Sequence, residues 1–352
     1  MNGAPPPARS ARGVHSMTST PHDALFKSTF SQPEHAAAAL REALPAALAA
    51  RIDFASLTLQ PGSFIDRQLA ARHSDLLFSA RLEETSLFVY VLFEHQSTTD
   101  PLMAFRLLGY MVRIWQGYLE RHPKETRLPA ILPVVLHHST TGWFRATAFQ
   151  ELLDIPPGTL ALVAEHVPQF RFVLDDISAA PDEALRARLM TALGRLVLWC
   201  FRHSRDPEVL LARLSEWRGV VQEVRCAPNG RAALERVWRY ILTIADPPRP
   251  GDFLQELLVA AGPEAKEEIV TIIDYLREQG RLAGEREGRL AGEREGRLEG
   301  QRSTLLKLLR MRFGELPAPV AARVLAADAG QLESWTERVL TAPTLDDVMI
   351  SR

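Results

Sequence analysis

Residues Leu87-Phe-Val-Tyr-Val-Leu-Phe93 are apolar at every position, and Glu94, His95 and Gln96 follow at once. A strand with no polar face has nothing to offer water. It must be covered on both sides, in the interior of a sheet packed by helices. That single run excludes an all-helical bundle and a one-sided antiparallel sheet for this part of the chain. It also puts a polar triplet where a buried strand comes out.

The flanking segments supply the rest of the sheet. Arg72 to Ala80 and Ser86 to Gln96 are separated by a polar turn, Arg81 to Thr85, and read as an antiparallel hairpin. Phe54 to Leu59 is a short strand ended by Pro61-Gly62, and Ile131 to Leu136 is another buried strand. Pro101 to Arg121 repeats its apolar residues at helical spacing (Met103, Leu107, Tyr110, Met111, Ile114, Tyr118). Upstream, Ser31-Gln-Pro-Glu34 has capping-box spacing, and His35 to Ala50 reads as helix broken at Pro45. The predicted order is helix, three strands, helix, strand, a mixed α/β unit over 21–176. Helices alone follow over 177–279, with breaks at Arg205-Asp-Pro207, Pro228-Asn-Gly230 and Pro247-Pro-Arg-Pro250.

Glycine then falls at every fourth position from Gly280 to Gly300, within copies of Gly-Arg-Leu-Ala-Gly-Glu-Arg-Glu. Six helical glycines cost roughly 6 kcal/mol against alanine. Residues 280–303 are therefore expected as a helical arm or a spacer, with a mobile spacer and weak self-association favoured. A last helical segment occupies 304–352, and homo-oligomerisation through this C-terminal region is a further expectation.

Charge and composition narrow the setting. A net charge of -2 excludes a uniformly basic nucleic-acid coat but not a local basic groove. Cys200 and Cys226 lie in no CxxC pattern, so a four-cysteine zinc site is excluded and reduced thiols are expected. Residues 1–20 lack an apolar signal core and read as a disordered tail, with Met17 an alternative start. The longest apolar runs fall far short of the roughly 20 residues that span a bilayer. A cytoplasmic protein with no membrane partner is the expectation.

Asp75 lies in His73-Ser-Asp-Leu-Leu-Phe78, the one acidic residue of an apolar strand, and Glu94 and Gln96 close the buried one. Side chains alternate along a strand, so Glu94 and Gln96 share a face and His95 takes the other. Pairing the hairpin brings Asp75 alongside Glu94. Two carboxylates at the edge of an apolar core repel each other, and a divalent cation relieves the repulsion. Hard oxygen donors suit Mg²⁺ or Mn²⁺, either of which serves phosphodiester hydrolysis. The bland alternative is a strand end reaching solvent.

Four segments occur in order: Pro21-His-Asp-Ala-Leu-Phe-Lys27, Ser74-Asp-Leu-Leu-Phe78, Phe93-Glu-His-Gln-Ser97 and Tyr110-Met-Val-Arg-Ile-Trp115. Together, over roughly Pro21 to Trp143, they resemble the Rpn family of recombination-promoting nucleases, also described as transposases. That resemblance implies a PD-(D/E)XK restriction-endonuclease-like core, αβββαβ, followed by the all-helical region. It implies that Asp75 and Glu94 are acidic metal ligands, with the backbone carbonyl of His95 a third. Gln96 stands where the superfamily usually has lysine. Glutamine can orient water or phosphate but carries no proton or charge.

Asp23 and Lys27 are four apart on one helical face. They belong either to the metal centre, with Lys27 replacing the missing charge, or to a capping carboxylate and a solvated amine. Arg106 and Arg113, seven apart, could line a DNA backbone groove or simply a solvated face. His137-His138 is expected to cap its strand or to pack on Trp143. Trp115, Trp143, Trp199, Trp217 and Trp238 are expected in the core. The function expected is a Mg²⁺-dependent DNA endonuclease linked to recombination or mobile elements. Its rivals are a non-catalytic DNA-binding or regulatory protein on a degenerate nuclease fold, and an oligomeric interaction protein.

Overall fold

The computed structural model describes residues 21–61, 75–94, 99–245 and 250–350; for residues 90–94, 157 and 250 it describes the backbone alone. Helices α1 (Pro21–Phe30), α2 (Pro33–Ala43) and α3 (Ala46–Ala49) lead into strands β1 (Ile52–Leu59), β2 (Leu76–Leu82) and β3 (Thr85–Glu94). Helix α4 (Met103–Arg121) connects β3 to β4 (Ala130–His137), and β5 (Val173–Asp176) completes the sheet. Helix α2 opens on Pro33, but its cap is Gln32 and not the expected Ser31. The Gln32 amide donates to the Ser28 carbonyl (2.8 Å), which ties the cap to α1 and leaves no capping box. Pro45 breaks the next segment as expected.

The five strands lie in sequence order, β1-β2-β3-β4-β5. β1, β2 and β3 are antiparallel, while β3, β4 and β5 are parallel. The hairpin turn is only Glu83-Glu84, and Glu83 takes a left-handed backbone (φ 54°) to make it. β5 was not anticipated, since four residues are too few to show a period. It pairs with the end of β4, from Val134 beside Val173 to His137 beside Asp176.

Consecutive residues are buried along the strands: Leu76-Leu77-Phe78, Leu87-Phe88-Val89 and Val134-Val135-Leu136. The sheet is therefore covered on both faces, as the apolar run required. On one face Leu77, Phe88 and Val135 pack against Met103, Leu107, Tyr110 and Ile114 of α4. On the other, Leu76, Phe78, Val134 and Leu136 meet Phe26 and Phe30 of α1, Leu40 of α2 and Leu198 of α7 (Ala192–Arg202). Each such side chain contributes about 1.5–3 kcal/mol when fully buried.

The helices after the sheet are α6 (Asp182–Ala187), α7, α8 (Pro207–Leu214), α9 (Arg218–Cys226), α10 (Gly230–Ile244) and α11 (Pro250–Ala261), with α5 (Pro157–Val163) before β5. α7 and α10 pack on α1, so these helices belong to the same compact unit as the sheet. Trp199, Trp217 and Trp238 are fully buried there, as expected of core tryptophans. At the α9–α10 turn Asn229 is left-handed (φ 57°), and a Cβ on Gly230 would lie 1.8 Å from the Val224 carbonyl oxygen. Only glycine fits there. Among the described residues no helix is long and apolar enough to cross a membrane.

Residues 273–352 form a second unit. Helix α12 (Lys266–Phe313) runs through the whole glycine repeat, where the sequence favoured a mobile spacer. Arg281 bonds Glu278 (2.6 Å) and Glu285, and Arg289 approaches Glu293 (3.8 Å), all at helical spacing. Leu305 and Leu309 anchor the end of the helix. They are buried with Val324 of α13 (Ala318–Ala326), Leu332 and Trp335 of α14 (Ala329–Arg338) and Val348 of α15 (Leu345–Val348). A Cβ at Gly284, Gly288 or Gly292 would meet nothing within 4 Å. Alanine at these three positions should therefore stabilise the helix by about 1 kcal/mol each, read as a higher melting temperature by circular dichroism. A lower melting temperature would show that the glycine stripe is packed against another chain.

Candidate active site

Asp75 immediately precedes β2. The first pair of the hairpin, Leu76 opposite Val91, sets Asp75 level with Leu92, two residues short of Glu94. The carboxylate positions are thus diagonal neighbours across the open end of the hairpin, offset from the side-by-side pairing that the sequence suggested. Both Asp75 carboxyl oxygens are shielded from solvent. His95 and Gln96 lie outside the described residues, and of Glu94 only the backbone position is described.

Parallel pairing adds two residues that sequence reasoning did not assign. Glu94 lies beside His137 in the β3–β4 ladder, and His137 lies beside Asp176 in the β4–β5 ladder. His137 is completely buried, with Nε2 3.0 Å from the Ser139 hydroxyl and no partner on Nδ1 among the described residues. Burial holds its pKa below the usual histidine value, so the ring is neutral near pH 7. Its ring stands edge-on to Trp143 (5.0 Å between centroids), which is the packing expected from the sequence. Asp176 serves the chain itself: it accepts from the Trp143 N–H (2.7 Å) and from the Ser178 N–H (3.0 Å) and hydroxyl (2.5 Å). Asp176 was missed because β5 was missed.

The first turn of α1 reaches the same end of the sheet. His22 Nδ1 is 2.7 Å from the Tyr240 hydroxyl, and its ring lies 5.8 Å from that of His138. Asp23 and Lys27 are half-buried on this helix, Asp23 next to His22 and Lys27 one turn further on. Of the two α4 arginines expected at a DNA groove, Arg106 is held by Asp100 (3.0 Å) and is largely buried, whereas Arg113 is exposed.

Among the described residues no three His, Cys, Asp or Glu side chains could hold a metal together. The expected donor set needs the Glu94 side chain and His95, which lie outside them. Two carboxylates and a carbonyl are hard oxygen donors, and with Asp75 screened from water they fit a Mg²⁺-like ion by chemistry.

The family model described as "Putative transposase, YhgA-like" matches residues 20–225. Recombination-promoting nuclease RpnD of Escherichia coli O157:H7 is 33% identical over 259 residues, 73% of this chain and 94% of that protein. Recombination-promoting nuclease RpnA of Escherichia coli K12 is 31% identical, over 75% of this chain and 85% of that protein. The inactive recombination-promoting nuclease-like protein RpnE of the same strain is 30% identical, over 78% and 87%. No solved structure matches the chain. With more than half of its length matched by one family model, and relatives of that similarity along most of it, the chain belongs to the YhgA-like putative transposase family and is a relative of the Rpn recombination-promoting nucleases.

Proposed function

We propose that the protein is a metal-dependent DNA endonuclease of the PD-(D/E)XK type, acting in recombination or mobile-element biology. The observation that carries this reading is the hairpin register, which sets Asp75 diagonally across from Glu94 with its carboxyl oxygens shut from water. The names of RpnD and RpnA support it. Asp75, Glu94 and the His95 carbonyl would hold Mg²⁺ or Mn²⁺, which supplies an acidified water and charge for the phosphoryl oxygens. Gln96 orients water or a phosphate oxygen with its amide and takes no proton. Lys27, on the helix whose first turn reaches this end of the sheet, supplies positive charge, and Asp23 helps to orient it. Arg113, exposed on α4, contacts the DNA backbone; Arg106 holds Asp100 and positions the helix start.

A second reading, a non-catalytic DNA-binding protein, is favoured by Gln96 in place of lysine and by RpnE's inactive label. Plasmid nicking with and without Mg²⁺ separates the two, and no nicking at any Mg²⁺ concentration would end the enzyme reading. Within that assay Gln96→Lys should match or exceed the parent, while Gln96→Ala and Lys27→Ala should each lose about 10- to 100-fold, as supporting residues at metal sites do. Equal rates in the Gln96 variants would leave that residue no catalytic part, and an unchanged Lys27→Ala would return Lys27 to the surface.

A further inference from the structure

The chain leaving β4 does not turn into solvent. His138, Ser139 and Thr140 form one wall of a cleft of about 510 Å³, whose opposite wall is the end of α7, the turn to α8 and α8 itself. The volume lies within the usual range for small-ligand sites. Its rigid floor is Asp182, only 3% exposed, which accepts from Trp199 Nε1 (3.0 Å) and lies 2.8 Å from His203 Nε2 and 3.5 Å from Arg213.

The cleft is lined by three carboxylates (Asp182, Glu183, Asp206) and three arginines (Arg202, Arg205, Arg213), but they are not matched one to one. Asp182 is spent on His203, Trp199 and Arg213. Glu183 faces Arg186 (3.4 Å), and the Asp206 carboxylate caps α8 through the Val209 N–H (3.0 Å). Arg202 and Arg205 also line the cleft, and among the described residues neither has a carboxylate within ion-pair distance. Arg202 is half-buried, with an Nε that has no hydrogen-bond partner there. Arg205 is exposed, and its charge reaches His137, the residue beside Glu94 in the sheet. A half-buried guanidinium and an exposed one, lining the same cleft, suit an anion with more than one charged group.

We propose that this cleft binds the phosphates of the nucleic-acid strand that flank the scissile one, with Arg202 and Arg205 as the contacting groups. This rests on the nuclease reading for the direction in which the strand runs, from the cleft to the end of β3 and β4. The wall residue His138 immediately follows His137, which lies beside Glu94 in the β3–β4 ladder, so the cleft adjoins this end of the sheet along the chain. Base identity plays no part, because the arginines meet phosphate alone.

The test is fluorescence anisotropy of a labelled DNA oligonucleotide on the full-length protein, with EDTA present to prevent turnover. Arg202→Gln/Arg205→Gln should bind at least tenfold more weakly. The slope of log affinity against log salt should become shallower by about two, one for each phosphate that is no longer neutralised. Because Arg202 is half-buried and its replacement puts folding at risk, Arg205→Gln alone provides the second arm, with a slope change of about one. Arg289→Gln, on the exposed repeat helix, should bind like the parent. Unchanged affinity and slope in Arg205→Gln and in a folded double variant overturn the proposal, as does a parent that binds no oligonucleotide. Competition separates a strand from a small ligand. If inorganic phosphate or a mononucleotide binds through the two arginines while oligonucleotide binding ignores them, the cleft is a small-phosphate site and the strand proposal fails. A parent that binds DNA through Arg202 and Arg205 yet never nicks plasmid with Mg²⁺ upholds the cleft and sinks the nuclease reading alone.

Discussion

Asp75→Ala is expected to lower Mg²⁺-dependent plasmid nicking by about 10³-fold or more, because a catalytic cation supplies several kcal/mol to the transition state and each 1.36 kcal/mol is tenfold in rate. Asp75→Asn should be equally impaired, since it keeps the shape of the side chain but not its charge. The fold should survive both changes. Asp75 sits at the open end of the hairpin, one residue outside the paired part of β2, so no ladder bond depends on its side chain. Removing one of two neighbouring carboxylates also relieves their repulsion, so the urea midpoint should hold or rise slightly. Full activity in purified, folded Asp75→Ala would remove Asp75 from the active site. A collapsed urea midpoint would mean that its buried oxygens serve the structure instead.

Asp182→Ala should be the most damaging single change to stability, with a loss of about 3–5 kcal/mol by urea unfolding, the cost of leaving the partners of a buried ionic group uncompensated. Domains of ordinary stability have only about 5–15 kcal/mol in total. Burial alone would raise the Asp182 pKa. The bonds from His203 and Trp199, together with the charges of His203 and Arg213, outweigh that and hold the carboxyl below its ordinary value. A carboxyl depressed in the folded state binds its proton more weakly there than in the unfolded chain. Its contribution is therefore complete above the unfolded pKa of about 3.9 and fades as pH falls through the folded value. The stability gap between parent and Asp182→Ala should accordingly be flat near neutrality and narrow in acid. A variant that unfolds at the parent's urea midpoint would show that Trp199 and His203 do not need this carboxylate.

Much of the sheet could be read locally. The apolar run 87–93 demanded a strand covered on two faces, the polar interruption after Ala80 demanded a hairpin, and the spacing of Met103, Leu107, Tyr110 and Ile114 demanded the helix that covers it. These features depend on periodicity and turn chemistry, which act over a few residues. The resemblance added the identity of the candidate site, and the family comparison bears the resemblance out.

Other features had no local signal. A four-residue β5 is stabilised by pairing with β4, not by its own pattern, so Asp176 stayed hidden as a neighbour of His137. The repeat helix carries glycines that a propensity argument counts against it, yet paired Arg and Glu side chains and the anchors Leu305 and Leu309 support it. The cleft joins His138 to Asp182, Arg202 and Arg205, all far along the chain from it and with no shared motif. By itself the sequence determined the longer strands and the helix that covers them, because hydrophobic periodicity is short-range. Only the tertiary structure decided which strand ends and which charged side chains meet, because burial and parallel pairing set those neighbours across long stretches of chain.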